Sequence, residues 1–120
     1  MKHYTYCFIR KDLEPHYQII QASHAMHEIG LRQHYVEGHE NYMILFEVKN
    51  EYELIRVAED LRKQGIEYHL FYEPDYDTGY SALATVRIPE ESLDREKFKG
   101  YKMWSIDGVE KKKLNLSMNY

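Results

Sequence analysis

The chain is poor in cysteine, proline and glycine, and it has no long hydrophobic run. Its one cysteine, Cys7, has no internal disulfide partner, which fits a reducing compartment. Cys7 lies in the apolar run Tyr6-Cys-Phe-Ile9, where a small core side chain is expected rather than a nucleophile. No apolar stretch approaches the ~20 residues of a membrane span. The opening Met1-Lys-His-Tyr4 lacks the apolar region of a signal peptide. A cytoplasmic chain without a membrane partner is expected. Three prolines and six glycines, with no repeat or Ser/Gly-rich tract, leave no linker, so the 120 residues are read as one domain.

Charge is present but unevenly spread. The net charge is −4, yet from Arg95 to Lys113 the basic Arg95, Lys97, Lys99, Lys102 and Lys111-Lys-Lys113 outnumber Glu96, Asp107 and Glu110. A uniformly basic nucleic-acid binder is excluded, and a local anion-attracting patch or a solvated end remains. Tyrosine is abundant, with twelve residues, of which Tyr72, Tyr76 and Tyr80 lie in or beside one acidic segment. Such rings suit strand edges and dimer interfaces, and they also stack on nucleobases.

The spacing predicts strand, helix, strand, helix, strand, strand and a last short helix. A first strand covers about 4–10. Asp12 is a candidate cap and Pro15 a first-turn residue of a helix whose apolar stripe is Ile19, Ala22, Met26 and Ile29. Tyr42–Val48 is a central strand, and Asn50 with Glu53 opens a helix with an inner face of Leu54, Val57, Ala58 and Leu61. Gly65 stops that helix. Strands follow at 66–72 and 81–88, joined by the turn-rich Glu73-Pro-Asp-Tyr-Asp-Thr-Gly-Tyr80, and a short helix or arm covers about 93–103. This order implies an α/β fold, a mixed sheet with helices on both faces, in which the third and fourth strands are antiparallel. Residues 1–90 form the α/β body, and 91–120 form an arm and basic tail of the same domain.

Polar residues where a strand ends and a helix begins mark ligand sites in open α/β sheets. Arg10 and Lys11 end the first strand, where a phosphate could meet them near a helix amino terminus. Gln18, Gln21 and His24 follow at one-turn spacing on one helix face. If the third strand runs parallel to the first, it brings Glu73 and Asp75 to the same place, and Tyr76 can close over a base. His24 is a candidate general base or a histidine with a structural role. His16, His24, His27, Glu28 and His34 lack the spacing of a metal site, and Asp75–Gly79 lacks the distal glutamate of a calcium loop, so no metal or cofactor is expected.

The chain resembles the second family of peptidyl-tRNA hydrolases, the archaeal and eukaryotic type. Ile9-Arg-Lys-Asp-Leu13 is similar to the family's strand-end motif, and Gln21-Ala-Ser-His-Ala25 to its helix motif. Phe71-Tyr-Glu-Pro-Asp75 and Ser81-Ala-Leu-Ala-Thr85 fall at its acidic loop and last strand. The resemblance covers residues 4–90 and extends to small phage and bacterial proteins with a Tyr-Glu-Pro-Asp loop. It implies a three-layer α/β/α fold with a four-stranded mixed sheet, and commonly a homodimer.

The departures bear on function. The family's Gly-Lys pair is replaced by Tyr17-Gln18, so a neutral amide stands where an ammonium would polarise an ester. The loop threonine lacks a clear counterpart, and Ser81 stands for the threonine of the last strand. The expected function is therefore a binding module without turnover, which holds a small nucleotide or a tRNA 3′ end and in a phage setting would sequester a nucleotide messenger. Arg10, Lys11, Gln18, Gln21, His24, Glu73, Asp75, Tyr76 and Ser81 are the candidate ligand residues, with no catalytic residue assigned. The alternatives are an active peptidyl-tRNA hydrolase using water positioned by Glu73 or Asp75, and a protein-interaction module.

Overall fold

The computed structural model describes residues 1–106. The first strand, β1 (Lys2–Arg10), is buried at nearly every position from His3 to Ile9 because both of its faces are covered. Its even-numbered residues Tyr6 and Phe8 join one apolar cluster with Phe46, Leu54, Leu61 and Leu83. On the other face Ile9 packs with Ala25, Ile29, Ala82 and Ala84. The helices α1 (Pro15–Leu31) and α2 (Glu51–Lys63) supply the two covers.

The sheet is mixed, with strand order β2-β1-β4-β3. Here β2 is Glu40–Val48, β3 Tyr68–Glu73 and β4 Gly79–Thr85. β1 runs parallel to β2 and antiparallel to β4, and β3 is antiparallel to β4, so β3 points the same way as β1. The expected fourth strand breaks at Val86-Arg87. Its end, β5 (Ile88–Pro89), pairs instead with His3 and Tyr4 of β1. Leu93–Phe98 forms a 3-10 helix shorter than the expected arm. Phe98 stacks on Tyr6 at 3.8 Å between ring centroids, which seats this carboxyl-terminal segment on the core of the preceding residues.

Two helix expectations have different outcomes. In α2, Asn50 Oδ1 accepts from Glu53 N at 3.0 Å, and the inner face is Leu54, Val57, Ala58 and Leu61 as read. In α1 the buried face is Gln18, Gln21, Ala25 and Ile29, while Ile19 is 60 % and Ile20 47 % exposed. Of the expected stripe, Ile29 is buried and Ala22 and Met26 pack against the core partly buried, while Ile19 turns outward because the buried amides of Gln18 and Gln21 take the amino-terminal part of that face. Asp12 does not cap α1 either: its carboxylate pairs with Arg10, and Glu14 precedes Pro15 without a side-chain cap. No helix among the described residues is long and apolar enough to cross a membrane.

Candidate functional site

The chain reverses its direction of travel across the sheet after β2. α1 leads outward from β1, and α2 leads back past it to β3. The carboxyl ends of β1 and β3 thus flank a topological switch point, where open α/β sheets leave a crevice. Arg10 and Lys11 arrive there from β1, Glu73 and Asp75 from β3, Ser81 from the start of β4, and Gln18 and Gln21 from α1.

A buried polar chain crosses this point. The Ser81 hydroxyl donates to Gln21 Oε1. Gln21 Nε2 donates to Glu73 Oε2 at 3.2 Å, and Glu73 Oε1 accepts the Asp75 amide at 3.2 Å. Ser81 and Gln21 are fully buried and Glu73 nearly so. These groups satisfy one another, which a buried polar group requires. The Ser81 proton faces an amide oxygen, a very weak base, so this contact does not generate a nucleophile.

Arg10 serves the loop. It chelates Asp12 through Nε and Nη2 at 3.0 and 2.9 Å, and its Nη1 donates to the carbonyls of Thr78 and Tyr80. Its charge is answered by Asp12, so the expectation of a phosphate ligand becomes one of a latch between β1 and the loop. Lys11 Nζ donates to Ser105 O, lies 3.9 Å from Glu47 and sits over the Trp104 ring. Gln18 also departs from expectation. It is 3 % exposed, donates to Leu13 O at 2.7 Å and accepts from Trp104 Nε1 at 2.7 Å, which removes it from a ligand-facing surface.

Tyr76 remains open. It is 90 % exposed, and its backbone is left-handed (φ 56°, ψ 29°), as is that of Asp77 (φ 54°). That region is costly for a bulky side chain. The loop holds it by a 3-10 turn, Asp75–Asp77, closed by Thr78, whose amide and hydroxyl both donate to Asp75 O. Gly79 (φ 77°) takes a backbone conformation that other residues rarely adopt, and a Cβ there would displace the carboxylate of Glu51, whose Oε2 accepts the Tyr80 amide at 2.7 Å. The Tyr76 ring stands edge-on to Tyr17, with centroids 6.4 Å apart, and Tyr17 Oη lies 3.3 Å from Thr78 Oγ1. Tyr17 belongs to the first turn of α1, which carries no acidic residue and no side-chain cap.

His24 lies outside this group. It is exposed and stacked on Phe71 at 4.7 Å, without a hydrogen bond among the described residues. Cys7 is buried, and desolvation pushes its thiol up to about 12, which rules out a thiolate nucleophile near neutral pH. Of the basic segment, Lys97 and Lys99 pair with Asp94 and Glu96, and Arg95 lies over the Tyr4 ring. Lys111, Lys112 and Lys113 lie outside the described residues. Tyr17, Glu51, Thr78 and Trp104 contribute to the region without having been singled out. Each acts through a contact distant in sequence, and only Tyr17, one residue before Gln18, carried a local signal.

No protein-family model matches the chain, and a search of curated proteins finds no match.

Proposed function

We propose that the chain is a non-catalytic binding module of the peptidyl-tRNA hydrolase 2 kind, which holds a nucleotide or an RNA 3′ end at the switch point. The observation that carries this reading is Tyr76, presented almost fully to solvent in a strained conformation beside the uncapped amino terminus of α1. Strain of this kind persists only where surrounding contacts over-determine it, and it clusters at ligand sites. The ring offers a stacking platform, and the N–H groups of the first turn offer an anion site next to it. A phosphate at the amides of His16 and Tyr17, with a base against Tyr76 and Tyr17, uses both features.

The chemistry favours binding over turnover. Glu73 is nearly buried and each of its carboxylate oxygens already accepts a hydrogen bond, from Gln21 and from the Asp75 amide, while Ser81 donates to an amide oxygen. Gln18 in the lysine position is walled in by Leu13 and Trp104. A general base must reach a water or hydroxyl proton, which the burial of Glu73 opposes, and the Ser81 hydroxyl has no base as its partner.

The test is calorimetric titration with adenosine monophosphate and the trinucleotide CCA, beside native mass spectrometry of freshly purified protein. Saturable binding that is weakened by Tyr76→Ala supports the reading. Absence of binding to every nucleotide probe, with none copurifying, overturns it.

A further inference from the structure

The end of the sheet opposite the switch point carries a hollow of about 280 Å³, between α1 and the first residues of β1 and β2. Odd-numbered residues of β1 face α1, as Cys7 and Ile9 do where they meet Ala22 and Ala25. Thr5 shares that face. Its register partner Met43 lies beside it on β2, and Asn41 precedes Met43 on the same face as the partner of His3. Met26 and Ile29 of α1, together with Met43, make part of the lining apolar. Arg87 enters from the break between β4 and β5.

The backbone of Arg87 is fixed by α1. Gln33 Oε1 accepts the Arg87 amide at 2.9 Å, and Gln33 Nε2 donates to Ile29 O at 3.1 Å. The half-buried guanidinium, by contrast, makes neither an ion pair nor a hydrogen bond among the described residues. The two other half-buried arginines are both engaged, Arg10 by Asp12 and Arg95 by Tyr6 Oη at 3.1 Å. No lining residue of the hollow is acidic. The surroundings are positive as well, since His3, the amino terminus and Arg87 all oppose protonation of His39.

Thr5 supplies an independent observation. It is 9 % exposed, and its hydroxyl has no hydrogen-bond partner among the described residues. A buried hydroxyl ordinarily has one. The atoms sealed from solvent without a partner are Nδ1 of His3 and of His39 rather than the Thr5 oxygen, so the hollow gives access to that oxygen.

We propose that this hollow binds a small amphipathic monocarboxylate, its carboxylate on Arg87 and Thr5 and its apolar body against Met26, Ile29 and Met43. The guanidinium fork offers a carboxylate two parallel N–H donors, and the Thr5 hydroxyl can add a third. A phosphate dianion suits the place less, because the carboxyl end of α1 brings partial negative charge to the same region. The volume lies at the small end of ligand pockets, which span ~300–1,000 Å³, and this favours a compact acid. The site is separate from the switch point and does not depend on the nucleotide reading.

Titration of the full 120-residue chain with phenylacetate, read by amide NMR shifts, tests the proposal beside phenylacetamide and inorganic phosphate. The expected result is saturation with a Kd on the order of 1 mM or tighter, with shifts at Thr5, Met43 and Arg87. Phenylacetamide and phosphate should bind at least about tenfold more weakly. Arg87→Gln should weaken phenylacetate at least about tenfold and Thr5→Val about threefold or more, with the spectrum away from the hollow unchanged. Arg56→Gln removes the same charge from an exposed position on α2 and should have no effect. Phenylacetate that fails to saturate by ~10 mM, binds no better than the amide, or ignores Arg87→Gln overturns the proposal. Tighter binding of phosphate overturns it too, because the ligand class is then wrong, as do shifts confined to the Glu73–Tyr80 loop, which would place the acid at the switch point.

Discussion

The indole Nε1 of Trp104 donates a 2.7 Å hydrogen bond to Oε1 of Gln18, joining the carboxyl-terminal arm to the first turns of α1. The same glutamine donates to Leu13 O, so one buried amide holds the strand-helix turn, the helix and the arm together. Gln18 is thus a structural joint in this chain.

Replacing that amide should cost stability. Gln18→Leu keeps much of the volume but leaves the Trp104 N–H and the Leu13 carbonyl without their partner, a loss of about 1–3 kcal/mol. Gln18→Lys cannot accept the indole N–H and should lose a similar amount without gaining ester hydrolysis. Urea unfolding measures both. A Gln18→Lys variant as stable as the parent contradicts the joint.

Tyr76 should trade stability for binding. Its left-handed backbone costs a bulky residue roughly 1–2 kcal/mol, and glycine avoids that cost while gaining chain entropy when unfolded. Tyr76→Gly is therefore expected to be neutral or slightly stabilising in thermal melts. It should still weaken a nucleotide by about 1–3 kcal/mol, or about 5- to 150-fold. A marked fall in melting temperature would show that the ring carries structure instead.

The loop that presents Tyr76 depends on a glycine and on a latch. Gly79→Ala puts a positive φ on a non-glycine residue and displaces the Glu51 carboxylate from the Tyr80 amide, so it should destabilise the protein and expose the Glu73–Tyr80 loop to proteolysis. Arg10→Ala should also loosen this loop, by freeing the Thr78 and Tyr80 carbonyls, with a smaller effect on global unfolding. Limited proteolysis followed by mass mapping separates the two. Unchanged cleavage in Arg10→Ala removes the latch.

Histidines set an acid limit. Burial, His3, the amino terminus and Arg87 lower the affinity of His39 for a proton, and burial followed by Arg32 does the same at His69. The folded state therefore disfavours the protonated forms. Their stability contribution is complete above the ordinary histidine value of 6.5 and declines as pH falls below it. His39 also stacks on His3 at 4.3 Å, with Nδ1 of both rings buried and without a partner among the described residues. His39→Gln should flatten the fall in urea midpoint between pH 7 and 5. An unchanged slope in that variant contradicts the assignment.

The legible parts of the sequence were those governed by local chemistry. Asn50 and Glu53 announce α2, and the Glu73–Tyr80 turn residues announce the antiparallel β3–β4 pair. The parallel run of β3 with β1, needed to bring Glu73 to Gln21, stood in the sequence only as a condition, because two strands separated by a third share no local signal; the strand pairings meet it. The burial of Gln18 and Gln21 was hidden, because their partners are as distant as Trp104, Glu73 and Ser81. Arg10 was hidden for the same reason. Its sequence neighbours suggest an open cation, but a local carboxylate and two carbonyls from the far loop consume its donors.

The central claim, binding without turnover, is met most directly by incubating stoichiometric protein with a peptidyl-tRNA labelled on both the peptide and the RNA, and reading RNA retention and ester cleavage in the same sample. The account predicts retained RNA with the ester intact, and retention weakened by Tyr76→Ala. Release of the peptide that is abolished by Glu73→Gln, and that continues over many turnovers when the peptidyl-tRNA is then supplied in excess, would contradict it and make the chain a hydrolase.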